Sequence, residues 1–131
     1  MISYIVIGIL LIVSGSCKGV MDTIQFHYEI SIFNNENHKQ LFWDPKLSWR
    51  NKYKKNSRSP KFWGSTTIFV FVTDAWHLFQ FLTYTLIFVS LGIALLVPNT
   101  ISMWILLLLT LYRGLFGLGF TMMYNKILPK Q

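Results

Sequence analysis

Leu78 to Val97 is a run of twenty residues without a charged side chain, and Gln80, Thr83, Thr85 and Ser90 are its polar members. Hydrocarbon offers no partner to a backbone N–H or C=O, so an apolar run of this length folds as a helix that pairs its backbone internally. At about 1.5 Å per residue it spans about 30 Å, the thickness of a bilayer core. Ile2 to Met21 and Ile101 to Tyr124, with Leu106 to Leu109 inside it, are two more long apolar runs, each with one cation, Lys18 and Arg113. The middle run already begins at Ser65; as one helix of 33 residues it exceeds what any bilayer needs.

Composition narrows the class. Hydrophobic residues make up 53% and charged residues 13%, against about 25% charged in soluble domains. A disordered chain and an ordinary soluble enzyme are excluded. Cys17 is the only cysteine, so a disulfide scaffold is excluded too. The expected fold is an all-α membrane protein: helix one over 2–28, a basic, aromatic-rich interfacial loop over 29–64, helix two over 65–97 and helix three over 101–124. The alternative has four spans, with 65–97 broken near Asp74. Met1 to Val13 has no Lys or Arg, unlike a secretory signal. Ser14-Gly15-Ser16-Cys17 has Ser where a lipoprotein cleavage site wants Leu, so cleavage is not expected.

Lys39, Lys46, Arg50, Lys52, Lys54, Lys55, Arg58 and Lys61 crowd one loop, and Lys126 and Lys130 follow helix three. The Pro98-Asn99-Thr100 turn has no basic residue. The positive-inside rule then places the loop and C-terminus in the cytoplasm and the N-terminus outside, with three crossings. Phe42 to Lys55 interleaves aromatics with cations, a pattern that suits nucleic acid or a membrane surface. Tethering between spans favours the membrane, so Arg50, Lys52, Lys54 and Lys55 are expected on anionic headgroups, with nucleic acid not a partner. The plainer reading is that these charges only set topology. Pro45 and Pro60 argue against one continuous helix in the loop.

Charged residues within spans are costly and mark function or pairing. Counted from the outer ends of their helices, Asp22 and His27 lie 20 and 25 residues in, and His77 and Asp74 lie 20 and 23 in. Both groups therefore fall at the cytoplasmic boundary. Lys18 and Arg113 lie deeper, with stems long enough to reach toward it. The expected pocket is Asp22, His27, Asp74 and His77, flanked by Lys18 and Arg113. Asp74 and His77 share a helix face, an acid-x-x-His spacing found in metal-binding bundles. One reading makes His27, His77, Asp74 and Asp22 a metal set, for which zinc is the best match. A second is an ion-pair cluster with Asp22 and Asp74 neutralising Lys18 and Arg113. A third is acid–base chemistry on a lipid headgroup, with a histidine oriented by its neighbouring Asp. Gly15-x-x-x-Gly19 predicts close packing of helix one on a neighbour, within the chain or in a homo-oligomer.

Three stretches, Lys18 to His27, Phe42 to Tyr53, and Gly64 to Thr67 continuing to Thr73 to Gln80, together resemble an uncharacterised family of small bacterial membrane proteins. The likeness covers roughly residues 18–82 and leaves out helix three. It implies a bacterial inner membrane and no particular reaction. The functional expectation is a multi-pass protein whose pocket binds a metal or an anionic headgroup, or modifies a lipid. The alternative is a non-enzymatic accessory subunit with a protein partner. An ion pathway is disfavoured, since the outer halves of the spans lack polar residues.

Overall fold

The computed structural model describes residues 2–35, 40–96 and 104–128, and the described residues are helical with no extended strand. Helix α1 runs Ile2–Phe26, a short α2 covers Gln40–Trp43, α3 runs Ala75–Leu96 and α4 runs Trp104–Met122. Among the described residues, α1 and the Ala75–Ala94 part of α3 are long and apolar enough to cross a membrane. The Pro98–Thr100 turn, Lys39 and Lys130 lie outside the described residues.

Helix α1 lies between the other two long helices. It runs antiparallel to α3: the Ser14 hydroxyl donates to the Thr83 carbonyl at 2.9 Å, and Trp76 Nε1–H donates to Gln25 Oε1 at 3.0 Å. It runs parallel to α4, with Tyr4 beside Tyr112, Gly15 against Phe116 and Gly19 against Phe120 and Met123. Glycines make this second contact possible. A Cβ on Gly15 would lie 1.9 Å from the Phe116 carbonyl oxygen, and one on Gly119 would lie 2.1 Å from that of Ile12. The Gly15-x-x-x-Gly19 expectation is met within the chain. Gly114 faces open space and Gly117 meets only Arg113.

Polar residues on these helices are satisfied locally. Ser16, Thr23, Thr83 and Ser90 each donate to the carbonyl four residues back. No buried side-chain nitrogen or oxygen is left unpaired among the described residues, as apolar surroundings demand.

Helix two does not extend over 65–97. Residues 63–73 form turns with one 3₁₀ turn at Val70–Val72, and α3 begins only after Asp74. Thr66, Thr67, Ile68, Val70 and Val72 are β-branched and poor at starting a helix. Gly64 takes a positive φ of 79°, and the buried Ser65 hydroxyl donates to the Lys52 carbonyl at 2.8 Å, tying the segment to the loop. The break near Asp74 is present, but what precedes it is not a fourth spanning helix. Helix one stops at Phe26 rather than 28. Helix three leaves α-geometry after Met122 for one π-turn, Met123–Ile127. That turn carries Leu128 into a core with Val20, Ile24, Tyr28, Phe33 and Ala75. The Leu128 carbonyl accepts the Ile32 N–H at 2.9 Å, so this core closes the end of the bundle where the loop sits.

Gly15→Val or Gly119→Val should force α1 and α4 apart, costing about 1–3 kcal/mol or more. Gly114→Ala should be neutral or slightly stabilising. Thermal unfolding of the purified protein in detergent, followed by circular dichroism, separates the two classes.

Candidate functional site

Asp74 caps α3. Its carboxylate accepts the backbone N–H of His77 at 2.9 Å, three positions on, and the His77 ring returns Nδ1 to the two carboxylate oxygens at 2.8 and 2.7 Å. The first contact is an ordinary aspartate N-cap, and the second pairs the same carboxylate with the ring three residues on. Asp74 is only 3% exposed, so the negative charge needs both donors. With the carboxylate as acceptor, Nδ1 is the donating nitrogen of the ring.

The other expected pocket residues do not converge on this pair. Asp22 accepts from Lys18 one turn earlier on α1. His27 lies past the end of α1, exposed, with its ring 5.2 Å from that of Tyr124 in edge contact. The antiparallel register does bring Asp22 and His27 to the same height as His77 and Asp74, as Gln25 bonded to Trp76 shows. Equal height did not become convergence. Arg113 is elsewhere: Tyr112 reaches Tyr4 and Phe116 meets Gly15, so Arg113 lies between those levels of α1, its guanidinium 5.8 Å from the Phe116 ring centre. At about 1.5 Å per residue it is roughly 15–20 Å from Asp22 along the bundle. Counting inward from Ile101 hid this, because α4 is shifted along α1. Of the expected ion pairs, Lys18–Asp22 forms, while Asp74 pairs with His77 instead of Arg113.

No group of three or more His, Cys, Asp or Glu side chains that could hold a metal occurs among the described residues. The set His27, His77, Asp74 and Asp22 is not assembled. Asp74 is engaged by its cap and its histidine, and Asp22 by Lys18.

The loop builds a different site. Tyr53 and Pro60 pair across a hairpin, held by Lys61 N–H to the Lys52 carbonyl at 2.9 Å and Lys54 N–H to the Ser59 carbonyl at 3.0 Å. Asn56 supplies the positive φ of 60° at its tip, a conformation asparagine tolerates well. The fold-back sets Arg58 and Lys61 opposite Arg50, Lys54 and Lys55 around a cleft of about 810 Å³. Trp49, Tyr53 and Asn51 complete its working surface. Lys52 leaves the cleft and lies 5.5 Å over the Tyr53 ring. Arg58 and Lys61 were not among the expected headgroup residues. The turn signal Asn56-Ser57-Arg58-Ser59-Pro60 could have placed them there.

Among the described residues the cleft lining contains no carboxylate. Glu29 and Asp44 lie together elsewhere: Lys46 Nζ donates to Glu29 at 2.7 Å and Lys46 N–H to Asp44 at 2.7 Å. The hydrogen bond and charge of Glu29 push the Lys46 ammonium above its ordinary pKa. Burial, followed by the charges of Asp44 and Glu29, raises the Tyr28 phenol. The cleft is anchored to the bundle by Asn51, whose side-chain amide donates to the Thr73 carbonyl at 2.5 Å, one residue before Asp74. Phe62 and Trp63 follow the cleft at 42% and 79% exposure, with Ile68 at 64%. Exposed apolar side chains beside a cationic recess suit an interface between water and lipid.

Comparison with known proteins found no matching family model, curated protein or solved structure.

Asp74→Ser should keep the cap on the His77 N–H while removing the partner of Nδ1, whereas Asp74→Ala removes both. The alanine variant should lose about 0.5–2 kcal/mol more stability than serine retains, with faster amide exchange at the start of α3. Equal stability of the two would show that the cap contributes nothing.

Proposed function

We propose that this chain is a small multi-pass membrane protein that binds the headgroup of an anionic phospholipid in the cleft of Arg50, Lys54, Lys55, Arg58 and Lys61. The observation that carries the reading is five cations around one concavity with no carboxylate in its lining among the described residues. Arginine matches phosphate oxygens in a fork and lysine supplies movable charge. Trp49 and Tyr53 fit headgroup depth. In this reading α1, α3 and α4 all cross, the N-terminus lies outside, and the loop and C-terminus lie in the cytoplasm. The excess of loop cations supports that orientation, and the resemblance of residues 18–82 supports a bacterial inner membrane.

The test uses the full chain reconstituted in vesicles of phosphatidylcholine with a minor fraction of phosphatidylglycerol, with spin-labelled versions of each lipid reporting contact. Phosphatidylglycerol should be retained in preference to phosphatidylcholine. At about 1 kcal/mol per cation near a charged headgroup, the triple change Arg50→Ala, Lys54→Ala and Arg58→Ala should weaken that preference about a hundredfold. Added salt should weaken it in the unmodified protein. An unchanged preference in the triple variant overturns the reading.

A further inference from the structure

A second recess, about 760 Å³, runs along the outer face of α3. Its residues follow helical spacing, from His77 and Gln80 through Phe81 to Phe88 and Val89, with Phe71 on the opposite wall. Phe71 stacks on Phe81 at 4.3 Å and 13°, which fixes that wall against the helix. His77 and Gln80 mark one end, Tyr84 and Thr85 lie midway, and Phe88 and Val89 close the other end. His77 to Val89 is twelve residues, or ~18 Å of helix, close to the ~15 Å hydrocarbon depth of one leaflet.

The His77 end has a defined chemistry. Asp74 holds Nδ1, so in the neutral His77 ring Nε2 is the nitrogen left to accept a proton donor at the recess. A phosphodiester or carboxylate carries no proton for Nε2 at neutral pH, and any anion there would face the Asp74 charge at close range. A hydroxyl brings the proton required. Gln80, one turn further along, offers an amide N–H to an ester carbonyl.

We propose that this groove seats a diacylglycerol-type lipid, one acyl chain lying along α3 and the free hydroxyl donating to His77 Nε2. His77 is the binding residue and Asp74 positions it. The proposal shares with the cationic cleft only the placement of α3 in a membrane, and the two sites can fail separately.

The experiment places the full chain in phosphatidylcholine nanodiscs and titrates a fluorescent diacylglycerol and the same lipid with its hydroxyl acetylated. The free hydroxyl should bind about tenfold more tightly, the worth of one hydrogen bond. His77→Phe should abolish the difference. Val89→Trp, on an exposed stretch of α3 where folding is not at stake, should weaken both lipids by obstructing the chain. The triple cleft variant should bind the probe as the unmodified protein does. Equal binding of the two lipids, indifference to Val89→Trp, or loss of probe binding in the cleft variant would each overturn the proposal.

Discussion

The bundle depends on a contact between backbones. Gly15 and Gly119 let α1 and α4 approach until each helix touches a carbonyl of the other. Lipid chains are as apolar as leucine, so burying more leucine would not hold two helices together in a bilayer; close packing and weak Cα–H···O contacts can. With α4 fixed on one side, α1 has its other side for α3, where Ser14 and Gln25 set the antiparallel register. The π-turn then delivers Leu128 beneath Ile24, and Phe33 stacks on Trp43 at 4.5 Å to cover the same core. A glycine contact near the middle of α1 thus decides where the loop is anchored.

That anchoring sorts the charges of the loop. Glu29 and Asp44 gather around Lys46, and the hairpin gathers five cations on its other side. In the linear sequence the acids Glu29 and Asp44 precede the cleft cations, and Arg50 to Lys61 contains no acid. Folding keeps that separation and closes the cation run on itself, so the cleft carries positive charge beside exposed aromatic neighbours. The same segment that ties the cleft to the bundle, Asn51 bonded to Thr73, ends at the Asp74 cap. The two proposed lipid contacts therefore lie on either side of one short structural link.

Much of the architecture was readable because it rests on local rules. Apolar runs located α1 and most of α3, and the glycine spacing anticipated the tight helix contact. Residue counting put Asp22 and His77 at one height because helical rise is constant. It failed for Arg113, since the sliding of α4 along α1 is set by tertiary packing rather than by its apolar ends. It failed for 65–73 because apolar content does not distinguish a helix from β-branched turns pinned by Ser65. Asp74-x-x-His77 was ambiguous for a different reason: ligand pairs and helix caps both need an acid three residues before its partner. Only the position of the pair, at the first turn of α3, decides for the cap.

The charged side chains of the long helices now fall into a consistent pattern. Lys18 and Asp22 neutralise one another on α1, and Asp74 and His77 satisfy one another at the start of α3. Arg113 has no carboxylate partner among the described residues and is exposed. It lies between the levels where Tyr112 reaches Tyr4 and Phe116 meets Gly15, so the start of α1 is roughly 10 Å further along the bundle axis. An arginine stem covers most of such a distance and leaves its head in the polar zone. In the proposed orientation that zone is the outer leaflet, opposite the cationic cleft. A single cation there against five around the inner cleft preserves the charge asymmetry that the positive-inside rule requires, so Arg113 does not weaken the orientation drawn from the loop.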